Sequence, residues 1–189
     1  MTLLIVGLVI FFAVHAVSIV NESWRDRMAE RLGEWPWKGL YALLSLLGLV
    51  LLAWGYGQTR QGSAVIYLSP DWLRHLAMLL LVPVFPLLLA TYFPGRIKRF
   101  ARHPMLLATI LWAFAHLLVN GRLADILLFG TFLLWALVDL FSMRWRTQRP
   151  LPGAPTAQIN DLVALVLGLL LYGLFVAWLH ARLIGVPLV

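Results

Sequence analysis

The chain has 189 residues, 62% of them apolar and only 12% charged, about half the charged share of a soluble domain. That balance excludes a disordered, fibrous or ordinary water-soluble protein. The formal charge of +7 offers nucleic acid nothing, because the fifteen basic residues are scattered between apolar runs. With no cysteine, disulfides, thiolate ligands, thiol nucleophiles and iron–sulfur clusters are excluded too, which leaves an all-α integral membrane protein.

A spanning helix needs roughly 20 mostly apolar residues, because the hydrocarbon core is ~30 Å thick and each residue rises ~1.5 Å. Stretches 3–20, 39–57, 72–93, 105–119, 123–141 and 162–183 qualify. They predict a bundle of about six transmembrane helices in a single domain over residues 1–189, lying in the lipid bilayer. The runs are continuously apolar rather than alternating, which argues against a barrel. The first run has no basic leader or small-residue cleavage site and is expected to be a retained helix. Residues 21–38 interleave Glu22, Arg25, Asp26, Arg27, Glu30, Arg31 and Glu34, and predict an amphipathic surface helix ending near Pro36. Trp35 and Trp37 flank that proline and suit the interfacial belt. Only Asn120-Gly121 separates the fourth and fifth runs, which predicts a tight helical hairpin. Residues 148–156 hold three prolines and read as a linker.

Basic residues set the orientation. Arg25, Arg27, Arg31, Lys38, Arg96, Lys98, Arg99, Arg102, Arg144, Arg146 and Arg149 fall in loops on one side. Arg60, Arg74, Arg122 and Arg182 fall on the other, a ratio of eleven to four. Positive loops stay cytoplasmic, so both termini are expected to be periplasmic in a multi-pass protein of the bacterial inner membrane.

Ionisable groups within a bilayer are costly and mark candidate sites. They are His15, His75, His103, His116 and His180, with Asp125 and Asp139. A neutral imidazole is a common axial ligand for haem, but a histidine on an apolar helix is equally a bond between helices. Around His116, the face made by Ala108, Thr109, Trp112, Ala113 and Asn120 suits a flat cofactor or close helix packing. Depth along the spans groups His75, His116 and His180 toward the outer end. His15 lies nearer the cytoplasmic end and His103 at the cytoplasmic edge.

Arg102-His103-Pro104 resembles the Arg-His-Pro motif of isoprenylcysteine-type methyltransferases, which grips the methyl donor. The paired glutamates of those enzymes have no counterpart here, since Asp161 is the last acid in the chain. A broader resemblance runs through GLVIFFAVHAV, RLGEWPWKGLYALLSLLGLVLLAWGY, RHPMLLATILWAFAHLLVNG, LFGTFLLWALVDLFS and LGLLLYGLFVAWLHARLIGVP, in that order. These segments resemble the NnrU family, associated with denitrifying bacteria and their nitrite and nitric oxide reductases. They are also similar to zeta-carotene isomerase, a membrane haem b protein that turns a cis carotene bond trans. The resemblance implies haem b, with His15 and His116 as axial ligands to its iron. Ala113 stands where the isomerase has a cysteine, so a ligand exchange through that thiol does not carry over.

The function expected is therefore a haem b protein with a redox, gas-sensing or polyene-isomerase-like role linked to nitrogen oxide metabolism. Its ligand would be a hydrophobic molecule or a small gas, and any enzymatic activity would be haem-dependent. Arg102 and Arg74 are candidate propionate partners, because guanidinium binds carboxylate bidentately. His75, His103 and His180 are further candidate ligands. The alternative from another class is a haem-free membrane assembly factor or small-molecule transporter.

Overall fold

A computed structural model describes residues 1–149 and 151–188. The chain is an all-helical, multi-pass membrane protein. Its helices are α1 (Thr2–Val20), α2 (Glu22–Leu32), α3 (Glu34–Thr59), α4 (Trp72–Leu81), α5 (Val84–Tyr92), α6 (Arg96–Ala101), α7 (Pro104–Val119), α8 (Leu123–Ser142), α9 (Ile159–Leu174) and α10 (His180–Ile184). A π turn, Phe175–Leu179, joins the last two. Five segments are long and apolar enough to cross a bilayer: Thr2–Val20, Glu34–Thr59, Trp72–Tyr92, Leu123–Ser142 and Ile159–Ile184. Pro104–Val119 is shorter; its 16 residues rise ~24 Å.

Local chemistry sets several boundaries. Gly33 adopts φ +85°, the left-handed region that side chains avoid, so α2 stops there and not at Pro36 as expected. Pro36 instead lies in the first turn of α3, where its missing N–H has no intrahelical partner to lose. The third span is interrupted for the same reason in reverse. Pro83 supplies no amide to the ladder, and the span divides into α4 and α5 around it. Asn21 caps α2 by accepting from the Trp24 amide at 2.9 Å.

The chain forms two compact units. One comprises residues 1–69 and 120–148, the other 70–119 and 149–189. In the first unit α1 packs against α3 and α8. A Cβ on Gly48 would meet the Phe11 backbone at 2.7 Å, and one on Gly7 or Gly55 would meet the backbone of Leu52 or Leu4. These contacts pair residue 11 with 48, 7 with 52 and 4 with 55, so α1 and α3 run antiparallel with their backbones close. Small residues permit that approach. Gly121 performs a similar service in a loop: its carbonyl accepts from the Ile66 and Tyr67 amides, at 2.8 and 3.2 Å.

In the second unit α7 packs on α4 and α5, and α5 packs on α9. Gly168 abuts Pro86, and the Tyr172 hydroxyl donates to the Met78 carbonyl at 2.8 Å. The Asn120-Gly121 step is where the chain passes from one unit into the other. The proline-rich segment expected as a linker is docked: the Ala154 amide donates to the Tyr92 carbonyl at 2.8 Å, and Asn160 donates to the carbonyls of Pro94 and Pro155 at 2.9 Å each. Pro150 of that segment lies outside the described residues.

Candidate functional site

His15 is the centre of the most polar layer in the first unit. Its Nδ1 lies 2.7 Å from the Phe11 carbonyl one turn back. A carbonyl can only accept, so Nδ1 carries the proton and Nε2 the lone pair of the neutral ring. The ring stacks on Phe11 at 4.1 Å between centroids, with Tyr41 at 5.3 Å and the edge of Trp135 at 5.7 Å. Phe12 and Phe132 complete an aromatic collar at 4.8 Å from each other. Ser45 follows from the α1–α3 register: one turn from Gly48, it falls at the level of His15.

One turn beyond Trp135, Asp139 is buried and paired with Arg146, and both side chains are about nine-tenths buried. Ser142 also donates to the Asp139 carbonyl at 2.7 Å. Arg146 belongs to the turn after α8 and folds back over it, so it is not the free cytoplasmic loop charge that counting suggests. Three donors in this end of the unit are buried without an acceptor: Ser45 Oγ, Trp135 Nε1 and Arg146 Nε. Buried donors without partners are rare and costly, and they gather where a protein does something besides fold.

The second unit presents His116 on α7. Its Nδ1 lies 2.7 Å from the Trp112 carbonyl, the same i−4 arrangement as at His15, and the Trp112 ring is 5.2 Å away. Ala113 and Ala115 beside it are fully buried, so α7 packs by its small residues there. Each of the two histidines is therefore set in one tautomer by its own helix, within its own unit.

The family described as NnrU protein matches residues 3–188. The chain belongs to the NnrU family. No curated protein matches it, and no solved structure does. The match spans both units, so the two are parts of one NnrU chain.

The other residues singled out in this NnrU chain have varied surroundings. His180 Nδ1 lies 2.7 Å from the Val186 carbonyl, and Arg74 donates to the Leu188 carbonyl. Both thus fasten the C-terminal segment. His75 is exposed on α4. Arg102 is exposed and holds φ +57° and ψ −53°, while the His103 amide reaches back to the Ala101 carbonyl at 2.6 Å. That is a γ-turn of the rare, strained kind. It turns the chain so that Pro104 opens α7. Among the described residues no three His, Asp or Glu side chains converge as they would around a metal ion, so His75, His116 and His180 do not form such a group.

At the far end of the first unit Asp125 is satisfied. Tyr56 donates to its Oδ1 at 2.7 Å and the Arg122 amide to its Oδ2 at 3.2 Å. Arg122 in turn donates to the carbonyls of Gln61 and Ser63, at 2.8 and 3.0 Å. Burial, then the Asp125 charge, push the nearby Tyr67 hydroxyl above its ordinary range. Sequence reasoning named Asp125 and Asp139 but missed Tyr56, Ser45, Trp135 and the pairing role of Arg146. The seven-residue step from Asp139 to Arg146, two helical turns, was the available signal for the last.

Proposed function

We propose that this NnrU protein binds haem b in the bacterial inner membrane through His15 and His116, with both termini periplasmic. The observation that supports this reading is the shared anchoring of the two imidazoles. Metal-bound histidines usually donate their second ring nitrogen to a carbonyl or carboxylate, which fixes the tautomer and the ring direction. His15 and His116 both place Nδ1 against a carbonyl, of Phe11 and of Trp112, an arrangement in which a haem iron would be met by the opposite ring nitrogen. Haem held by these two residues would supply one-electron redox chemistry.

The chain's own part is to orient those rings and exclude water from them. Phe11, Phe12, Phe132 and Trp135 do this at His15; Trp112, with the buried Ala113 and Ala115, does so at His116. The role that fits is redox, gas-sensing or polyene-isomerase-like, in nitrogen oxide metabolism. Binding of a gas or catalysis on a polyene would require one imidazole to leave. A haem-free assembly factor or transporter is the competing reading. The visible spectrum of the detergent-purified chain separates the two: a Soret band supports haem, and a colourless, fully folded protein from haem-replete cells refutes it.

A further inference from the structure

The second unit has a cavity of about 430 Å³ between α6 and α9, lined by Arg96, Ile97, Gln158, Asp161, Leu162 and Leu165. Its composition changes along its length. Leu162 and Leu165 lie on successive turns of a spanning helix and are exposed. Arg96 and Asp161 lie where that helix begins, so the apolar part continues into a charged mouth. The element carrying the mouth, α6, joins a span ending at Tyr92 to a helix starting at Pro104, which puts it at the membrane boundary.

The charges there are arranged in both signs. Asp161 accepts from the Arg96 and Ile97 amides at 2.8 and 2.9 Å, so the α6 amides are already taken and offer no anion site. Each carboxylate oxygen keeps a further acceptor position. The same carboxylate interacts electrostatically with Arg96 and Arg99. Both of those arginines are exposed, and among the described residues neither side chain donates a hydrogen bond. Lys98 points elsewhere, donating to the Thr91 carbonyl at 2.9 Å. Phe100 follows at 94% exposure, a large apolar ring on the same short basic helix. A ring so placed on a basic helix at the membrane boundary suits the acyl edge of a bilayer.

We infer that the α6–α9 groove binds a phospholipid whose head carries both a phosphate and a primary ammonium. Arg96 and Arg99 hold the phosphate, and Asp161 accepts from the ammonium. Leu162 and Leu165 take the first part of an acyl chain, and Phe100 packs into the lipid beside it. The carboxylate sets the choice of head. A glycerol head offers it only neutral hydroxyls in place of a charged ammonium, and a quaternary choline has no N–H to donate to it.

The test is native mass spectrometry of the full chain in detergent, titrated separately with phosphatidylethanolamine, phosphatidylglycerol and phosphatidylcholine. Phosphatidylethanolamine should bind roughly two- to fivefold more tightly than the other two, the upper part of the range that partly exposed charge pairs supply. Arg99→Gln should weaken all three lipids by a similar factor, whereas Arg144→Gln, in the other unit, should change none. Asp161→Asn should erase the preference for ethanolamine over glycerol heads. Because that variant also disturbs the start of α6, stepwise N-methylation of the head provides an independent reading on the wild-type chain, where each methyl should weaken binding. Equal binding of the three lipids, a flat methylation series, or displacement of the lipid by inorganic phosphate would overturn the assignment. The last result would mean a site for a free anion.

Discussion

The two ends of α8 carry one buried carboxylate each, and they are built on opposite principles. At the Asp125 end the hydrogen bonds close on one another: Tyr56 and the Arg122 amide use the carboxylate, and the Arg122 guanidinium uses two loop carbonyls. At the Asp139 end the carboxylate is paired with Arg146, yet Ser45, Trp135 and Arg146 Nε all keep a buried donor unmatched around His15. A closed hydrogen-bond network stabilises; an open one costs stability and persists where something else uses it. The first end holds the unit together through its hydrogen bonds; the second is the end at which the haem ligand proposed above, His15, lies.

The largest effect should come from splitting the ion pair. Arg146→Ala leaves Asp139 charged and buried, which typically costs ~3–5 kcal/mol. Thermal unfolding in detergent should show a large loss, mostly restored by adding Asp139→Asn. If the single variant is as stable as wild type, the pair is not buried in the way described.

Next in size is the α1–α3 seam, whose tightness differs between the ends. Gly55→Ala would push a methyl into the Leu3–Leu4 backbone, which cannot move aside, and overpacking of that kind costs ~1–3 kcal/mol. Ser45→Ala, in the same seam near His15, removes only an unmatched hydroxyl and should be neutral or slightly stabilising. The reverse order would show that Ser45 has a partner in the folded protein.

A third pair, of similar size, sharpens the comparison most. Tyr56→Phe removes a hydrogen bond to a carboxylate and should cost ~1.5–3 kcal/mol, whereas Trp135→Phe removes an N–H that has no acceptor and should cost less than that through its donor. Measuring both on protein prepared with and without haem tells whether Trp135 acquires a partner when haem is supplied. A cost for Trp135→Phe that appears only in the filled protein would support the functional assignment of that end.

Much of this was legible in the chain. Spans appear as apolar runs because lipid leaves no alternative, and Pro104 can open a helix because its missing amide costs nothing there. Local signals failed where distance in sequence mattered. Pro36 reads as a terminator, but the same missing amide that stops a helix is harmless in a first turn, and Gly33 had already ended α2. Asn120-Gly121 reads as a hairpin turn, yet the need for glycine comes from a distant segment: a Cβ on Gly121 would run into the Tyr67 carbonyl oxygen. Arg146 counts as a loop charge until its fold back onto Asp139 is seen. His15 and His116 were identified by their type and by resemblance. Their shared i−4 anchoring needed the structure, because it depends on a rotamer that sequence does not record.

The central claim is that these two imidazoles are iron ligands, and the direct measurement is haem content and spin state across four histidine variants. Purified His15→Ala, His116→Ala, His75→Ala and His180→Ala chains should be compared by absorption and electron paramagnetic resonance. The account predicts that His116→Ala abolishes haem incorporation, and that His15→Ala abolishes it or leaves a high-spin, five-coordinate iron. His75→Ala and His180→Ala should keep the wild-type low-spin signal. Loss of haem in either of the latter two, with His15→Ala unchanged, would contradict it.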